Sequence, residues 1–240
     1  MGAASHLKMS LADFLVWEER QELRYEFDGH VPQAMTGGTY EHDAITFNVR
    51  RALDQRLTGK PRRPCGPNLK IIVQGKARYP DCLVTCAPIK RGTTVIDDPV
   101  VVIEVISEDS ARTDRIEKVR EYQATTSIKR YIVVEQRGVG ALVLERDGDR
   151  WHAIAATEGD SLAMPEIGVD VPLAEFYAGL EFREPVAASV RRGWRWSCRR
   201  VPASPASRTP VATAAAPRTT PPPRCRGISR PSGDRRAARP

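Results

Sequence analysis

The sequence predicts an α/β fold in which helices pack against a mixed β-sheet. Two observations favour this class. The apolar residues Ile45, Val49, Leu53 and Leu57 recur every four positions, which is typical of the buried face of a long helix. Further along the chain the apolar residues alternate or form continuous runs, as they do in strands, and one helical stretch interrupts these runs. With 240 residues, the chain is long enough for one domain and a shorter appendage.

A short helix and a hairpin are predicted at the beginning of the chain. Ser10 and Asp13 have the spacing of a capping box at the start of SLADFLVWEERQ, so this segment is predicted to be helical. The segment LRYEFDGHVPQAM alternates around the dipeptide Asp28-Gly29, which favours a tight turn between two strands.

The long helix follows a pair of glycines, and the predicted strands follow the helix. Thr39 can cap this helix, and Gly59 ends it before the basic loop KPRRPCGP. The helical stretch among the strands is ARTDRIEKVREYQA, and VPLAEFYAGL is predicted as a last short helix. The runs predicted as strands are LKIIVQ, ARYPDCLVTC, DPVVVIEVIS, KRYIVVEQ, GALVLERD and RWHAIAA.

The net charge of +7 is distributed unevenly along the chain. Residues 184–240 contain 13 Arg and two acidic residues, whereas residues 1–183 carry a net charge of −4. The segment 184–240 is rich in Pro and Ala and contains no Leu or Phe from which a core could form. We therefore predict a folded domain over residues 1–183 and a disordered Arg/Pro/Ala-rich tail over 184–240. The tail is either a nucleic-acid-binding arm or a dispensable extension.

Composition also bears on the cellular compartment. No apolar run approaches the roughly 18 to 20 residues of a membrane span, and the opening MGAASHLKMS lacks the apolar stretch of a secretory signal. The five cysteines include no CxxC pair, which favours free thiols in a reducing compartment. The sequence thus predicts a soluble, cytoplasmic protein with no membrane partner.

Two acidic residues stand out because they lie in apolar surroundings. Glu104 lies in the middle of the run VVVIEVI, where an ionised carboxylate is costly unless a cation, hydrogen bonds or a metal compensates it. Asp81 directly follows Pro80 and precedes another apolar run. Two acids on adjacent strands could bind one Mg²⁺ ion, which prefers carboxylate oxygens and water. The alternatives are that Glu104 pairs with an Arg or Lys and that Asp81 is a turn residue.

Five segments in order resemble the blocks of the Uma-two family, a group of restriction-endonuclease-like proteins in the PD-(D/E)xK nuclease superfamily. The resemblance extends from about Met9 to Phe182 and leaves the Arg/Pro-rich tail uncovered. The five segments are LRYEFDGHVPQAMTGGTYEH, RYPDCLVTC, PVVVIEVIS, DRIEKVREYQATTSIKRYIVVEQ and MPEIGVDVPLAEFYAGL.

The resemblance implies a restriction-endonuclease-like core, a central mixed β-sheet flanked by helices, and Mg²⁺- or Mn²⁺-dependent hydrolysis of DNA phosphodiester bonds. By that pattern Asp81 and Glu104 bind the metal. The superfamily's lysine usually lies two residues after the glutamate, where this chain has Ile106. A lysine of the following helix, here Lys118, takes its place, and Glu26 matches an acidic residue that completes the metal shell.

The implied partner is DNA, and the resemblance is compatible with a homodimer. A non-catalytic DNA- or protein-binding member of the same fold is the alternative, which the acidic domain and the displaced lysine favour. Lys118 shares a helical face with Asp114 and Tyr122, and that face is directed either to solvent or to the cleft. His42 is either a core residue or a residue of the site. The basic residues that could form a phosphate-contacting rim are Arg62, Arg63, Lys76, Arg78, Lys90, Arg91, Arg112 and Arg115.

Overall fold

The computed structural model describes residues 8–35, 37–106 and 112–182, with backbone only for residues 112–115. The predicted tail therefore lies outside the described residues. The helices are α1 (Leu11–Glu18), α2 (Tyr40–Leu57), α3 (Arg112–Ala124) and a short 3-10 helix (Leu173–Tyr177). The strands are β1 (Tyr25–Phe27), β2 (Pro32–Ala34), β3 (Arg63–Cys65), β4 (Ile71–Val73), β5 (Lys76–Arg78), β6 (Cys82–Thr85), β7 (Pro99–Ile106), β8 (Arg130–Glu135), β9 (Gly140–Asp147), β10 (Arg150–Thr157), β11 (Ser161–Met164) and β12 (Val169–Pro172).

The first two helices begin where the capping residues predict. The Ser10 side chain accepts a hydrogen bond from the Asp13 backbone N–H, and the Asp13 carboxylate accepts one from the Ser10 N–H, which completes a capping box. Thr39 caps α2 by accepting from the backbone N–H of His42. The predicted spine of α2 is fully buried: Ile45, Val49, Leu53 and Leu57.

The central sheet has six strands in the order β10-β9-β8-β7-β6-β3. Strands β7 and β8 are parallel, and α3 connects them, since a parallel pair requires a crossover. The other neighbours in this sheet are antiparallel. The predicted α/β class, a mixed central sheet flanked by helices, is confirmed.

A second, four-stranded sheet has the order β2-β1-β5-β4. Its β1–β2 hairpin turns at Gly29, whose φ of 97° is a conformation that glycine adopts without strain. Strands β11 and β12 form a separate antiparallel pair.

The run ARYPDCLVTC, predicted as one strand, divides into β5 and β6, which belong to different sheets. Pro80 lies between them and has no N–H to donate to a ladder, so a strand is disfavoured there. The break places Asp81 at the start of β6, immediately outside the ladder.

Each face of the central sheet has its own apolar core. Helix α2, the 3-10 helix and β11–β12 cover one face, and α3 and β4 cover the other. Because side chains alternate along a strand, Ile103 packs into the first core and Val102 into the second. Glu104 lies two residues after Val102 and therefore on the same face of the sheet. Asp81 lies two residues before Leu83, which also packs into the second core. Both acids are thus on the face that α3 covers.

Among the described residues, no helix has both the length and the apolar composition needed to cross a bilayer.

Candidate active site

Asp81 and Glu104 lie side by side at one end of the paired strands β6 and β7. The register aligns Cys82 with Ile103, so the next residue on each strand is one of the two acids. Both carboxylates line the same cavity. The sequence-based expectation that these two acids lie on adjacent strands agrees with this geometry.

The Asp81 carboxylate is held by its Oδ2 atom. The backbone N–H of Val105 donates to Oδ2 over 2.7 Å, and the His42 Nε2 atom lies 3.2 Å from the same oxygen. No residue in the described part of the chain donates a hydrogen bond to Oδ1. One oxygen is therefore fixed, and the other remains available as a ligand.

Glu104 is held in a similar way but is more deeply buried, with 6% of its surface exposed. The Tyr122 hydroxyl donates to Oε1 over 2.8 Å, and the Lys118 Nζ lies 3.6 Å from this oxygen. Within the described residues, Oε2 accepts no hydrogen bond. Burial is the largest cause that raises the pKa of Glu104; Lys118 opposes it, the Asp81 and Glu26 carboxylates add to it, and together they bring the pKa to about 7.

Lys118 projects from α3 into the cavity and not into solvent. Its Nζ lies 3.3 Å from the Glu26 Oε1 and 3.6 Å from the Glu104 Oε1. The lysine thus lies between two acids from two different strands, and of the two orientations left open by the sequence, the structure shows the cleft.

Glu26, on β1, is bound through both carboxylate oxygens. The Arg78 Nη1 contacts Oε2 at 3.0 Å, and Oε1 accepts from the Tyr79 backbone N–H at 3.2 Å as well as from Lys118. A carboxylate with both oxygens engaged by the protein is better suited to orient a lysine than to enter a metal shell.

Arg78 connects Glu26 to α3 and is itself almost fully buried, with 1% of its surface exposed. Its Nε and Nη2 atoms donate to the two oxygens of Glu121, each over 2.8 Å. Because Glu121 lies one turn after Lys118 on α3, this bidentate pair fixes the helix segment that carries the lysine. Lys76 adds a third contact to Glu121 at 2.7 Å.

The site therefore occupies one cavity of about 660 Å³ that brings all four predicted site residues together. Their catalytic and metal-binding roles stay predictions. Residues from other elements complete the walls: Gln33, Ala34, Met35, Gly37, Gly38, Thr39, His42, Asp43, Thr46, Pro67, Tyr79, Val105, Ile106, Tyr131, Gln136 and Arg137.

His42 belongs to this cavity and not to the core. It lies in the first turn of α2, which directs its ring towards Asp81. The hydrogen bond with Asp81 raises the pKa of His42 above its ordinary value, partial burial opposes this, and the charges of Asp81 and Glu104 reinforce it. The two acids therefore stabilise the protonated form of the imidazole relative to its neutral form.

The sequence interpretation missed the roles of Tyr122, Arg78 and Glu121. The signal for Tyr122 was its helical spacing, since residues 118 and 122 are four apart on α3 and share a face. No local pattern indicates the pairing of Arg78 with Glu121, because 43 positions separate the two residues.

The predicted basic rim needs correction at two positions. Arg78 is buried between Glu26 and Glu121, and Lys76 contacts Glu121 and Glu117, so both are occupied in ion pairs. The side chains of Arg112 and Arg115 lie outside the described residues.

The donor set around the cavity suits a hard divalent cation. Asp81 and Glu104 each keep one carboxylate oxygen without a hydrogen bond from the described residues. The described residues hold no group of three or more His, Cys, Asp or Glu that could form a closed metal cage. Mg²⁺ usually binds through one or two carboxylates and completes its shell with water and substrate phosphate, so two acids at an open cavity are sufficient.

Comparison with known proteins identifies the family of this chain. Residues 11–174 match the model of the Uma2 (Uma-two) family, which is described as "Putative restriction endonuclease". The chain belongs to the Uma2 family. It is 32% identical over 181 residues to the uncharacterized protein slr1290 of Synechocystis sp., an alignment that covers 73% of this chain and 94% of the relative. A second relative from the same organism, sll1609, is 20% identical over 158 residues, which are 64% of this chain and 89% of that protein.

A solved structure shares the fold of this Uma2 protein. It is described as a putative nuclease belonging to DUF820 from Anabaena variabilis, and its TM-score is 0.58 at 13% sequence identity. The match covers 70% of this chain and 97% of the solved chain. At this identity the likeness establishes a shared fold, and the chemistry has to be argued from the site itself.

Proposed function

We propose that this Uma2 protein is an endonuclease that hydrolyses DNA phosphodiester bonds with the help of Mg²⁺ or Mn²⁺. The observation that carries the proposal is the placement of Asp81 and Glu104 on adjacent strands, each with one uncommitted oxygen, beside the Lys118 ammonium. The family description and the nuclease fold support the same class of reaction.

Asp81 and Glu104 would hold the divalent cation. Val105 and Tyr122 each donate to one oxygen of these carboxylates, which orients the other oxygen. When bound, such a cation supplies Lewis-acid polarisation of a phosphoryl oxygen and lowers the pKa of water, which allows hydrolysis at neutral pH.

Lys118 would act on the phosphate itself. Its ammonium lies 3.6 Å from the Glu104 carboxylate, so a phosphodiester bound to a cation held by the two acids would come within reach of a positive charge. Negative charge builds on the phosphoryl oxygens during attack, and a fixed cation there stabilises the transition state more than the ground state. Glu26 then serves as a positioning residue, because it fixes the Lys118 Nζ from the opposite side.

Relaxation of a supercoiled plasmid in Mg²⁺ or Mn²⁺, compared with EDTA, tests the proposal. We expect cleavage by the wild type with metal, and losses of at least about 100-fold for Asp81→Asn and Glu104→Gln. Asp149→Asn is the matched control, because Asp149 is an exposed acid in the β9–β10 turn. DNA binding without cleavage in either metal would instead support the non-catalytic alternative.

A further inference from the structure

The two acids of the candidate active site lie at the bottom of a recess. Glu104 has 6% of its surface exposed, and the side chain of Asp81 has 14%. The walls of the recess come from the β1–β2 hairpin, the start of α2 and the residues that follow β8. A phosphodiester therefore has to enter the cavity to reach a cation that Asp81 and Glu104 hold.

The cavity has the size of a pocket for one nucleotide. Its volume of about 660 Å³ is within the range of about 300–1,000 Å³ that is typical of pockets for a single small ligand. A DNA duplex, whose major groove alone is about 12 Å wide, is too broad to enter such a pocket. Enzymes that act inside a pocket use single-stranded DNA or take the nucleotide out of the duplex. The dimensions thus favour a strand that is not base-paired at the scissile bond.

Two exposed aromatic side chains lie on α2 beside this cavity. Tyr40 and Phe47 are seven residues apart, so they share one face of the helix. Among the large apolar side chains of the described residues they are the most exposed, at 72% and 60%. Asp43, which lines the cavity, lies three residues after Tyr40 and four before Phe47. Tyr40 and Phe47, called the aromatic face below, are therefore adjacent to the cavity edge.

Two arginines place positive charge beside the aromatic face. The Arg51 Cζ atom lies 5.7 Å from the centre of the Phe47 ring. The Arg50 guanidinium packs on Gly66, where an added Cβ atom would lie only 2.7 Å from its Cζ. Gly66 directly precedes Pro67 of the cavity wall, so Arg50 lies close to the cavity edge.

Acidic residues on the same part of α2 balance these arginines. Asp43 lies at the cavity edge, and Asp54 lies one turn after Arg50 and Arg51; both acids are exposed. Charge alone would therefore bind a chain of phosphates only weakly here. Stacking of uncharged bases on aromatic rings needs no such charge, and it contributes strongly to the binding of unpaired strands.

We propose that the substrate is DNA that is unpaired at the cleavage site, with one nucleotide in the cavity and a neighbouring base stacked on the aromatic face. This inference rests on the proposed function, since it assumes that the cavity cleaves a phosphodiester. In a duplex each base is covered by its neighbours, so the aromatic face has no base to contact. Because every base can stack, cleavage should depend on the form of the strand and little on its sequence.

A fluorescently labelled oligonucleotide in three forms tests the proposal with the full chain in Mn²⁺. The forms are a single strand, a linear duplex and a duplex with a central unpaired bubble. We expect kcat/KM for the single strand and the bubble to exceed that for the duplex by at least about tenfold. A supercoiled plasmid does not separate these forms, because negative supercoiling favours local opening of the duplex.

The substitutions Tyr40→Ala and Phe47→Ala test the aromatic face. Each should raise KM for the single strand by about fivefold or more, with kcat little changed, because stacking acts equally on the bound substrate and the transition state. Tyr40→Phe keeps the ring and should behave like the wild type. Ile154→Ala, at an exposed apolar residue of β10 outside the cavity, is the matched control.

A linear duplex that is cleaved as fast as the single strand overturns the proposal, and so does an unchanged KM in both alanine variants. Fluorescence anisotropy of the single strand in EDTA distinguishes this failure from failure of the proposed function. Binding that both alanine variants weaken supports the aromatic face even if no DNA is cleaved, whereas binding that neither variant changes overturns it. The Arg-rich tail is present in every variant, so it cannot produce these differences.

Discussion

At Glu104 a carboxylate is held in a buried place with one nearby cation and two neighbouring acids. Lys118 is 3.6 Å away, and Asp81 and Glu26 both act against ionisation. Such an arrangement is unfavourable for the folded protein by itself, since like charges and burial both penalise the ionised form. Under the proposed function a divalent cation would compensate the acids, and the site would gain binding at a cost in stability.

The pH dependence of the metal-free protein follows from the pKa of Glu104. This pKa rises from an ordinary value of 4.5 to about 7 on folding, so the unfolded chain releases its proton first as the pH increases. The contribution of Glu104 to the free energy of unfolding is greatest below about pH 4.5. It falls by on the order of 3 kcal/mol as the pH rises to about 7. Urea unfolding in EDTA should show the wild type losing stability relative to Glu104→Gln between pH 5 and 8. An equal pH dependence of the two proteins would contradict this.

Replacing Lys118 with Met separates its catalytic role from a structural one. We expect cleavage to fall by about 100-fold, because the fixed positive charge near the phosphate is lost. Mg²⁺ affinity should be unchanged or stronger, since an ammonium that competes for Glu104 has been removed. Lys129→Met, at an exposed lysine outside the cavity and the predicted basic rim, is the control. Cleavage at the wild-type rate in Lys118→Met would show that the lysine has no catalytic role.

Under the proposed function, α3 would supply the lysine that the superfamily pattern places on β7. The position two residues after Glu104 is Ile106, which packs against the second core, so β7 offers no lysine there. Helix α3 covers the same face and supplies Lys118 and Tyr122 at helical spacing. The ion pairs of Arg78 with Glu121 and Glu26 fix this helix against the smaller sheet.

Substitution of Arg78 by Lys tests whether this connection positions the lysine. Lysine keeps the charge but cannot form the bidentate pair with Glu121, so we expect a loss of about 1–3 kcal/mol in unfolding free energy. Cleavage should fall even where the variant is fully folded, because Lys118 is less well held. Arg20→Lys, at an exposed arginine outside the cavity and the predicted basic rim, should have neither effect. A variant of Arg78 that is destabilised but cleaves like the wild type would assign Arg78 a structural role alone.

Local signals predicted the elements better than their assembly. The capping residues and the i, i+4 spine predicted α1 and α2, because caps and a helical repeat involve only residues that are close in sequence. The division of ARYPDCLVTC between two sheets was missed, although Pro80 was visible, since the partner strands are distant in sequence. For the site, the family resemblance supplied Lys118 and Glu26, whereas the contact of His42 with Asp81 required the three-dimensional structure.

On the scale of the whole molecule, the apolar cores on the two faces of the central sheet, and a third apolar cluster between α1 and the smaller sheet, hold the four site residues in place. Glu26 comes from the small sheet, Asp81 and Glu104 from the central sheet, and Lys118 from α3. Each carboxylate is fixed through a backbone or side-chain donor that belongs to another element. Metal binding should therefore be coupled to the stability of the folded domain as a whole.

Thermal melting of the wild type and Glu104→Gln, each in EDTA and in Mg²⁺, tests the metal site most directly. If Asp81 and Glu104 bind the cation, Mg²⁺ at about 100 times its dissociation constant should raise the wild-type Tm by about 5 to 10 °C. Glu104→Gln should respond weakly, yet in EDTA at pH 8 it should melt at or above the wild type, because a repelled buried charge is gone. Asp149→Asn should respond like the wild type.

The contradicting result has two parts. Glu104→Gln would lose about 3–5 kcal/mol of unfolding free energy in EDTA, and Mg²⁺ would have no effect on the wild type. Glu104 would then belong to a structural ion pair, which would contradict the account.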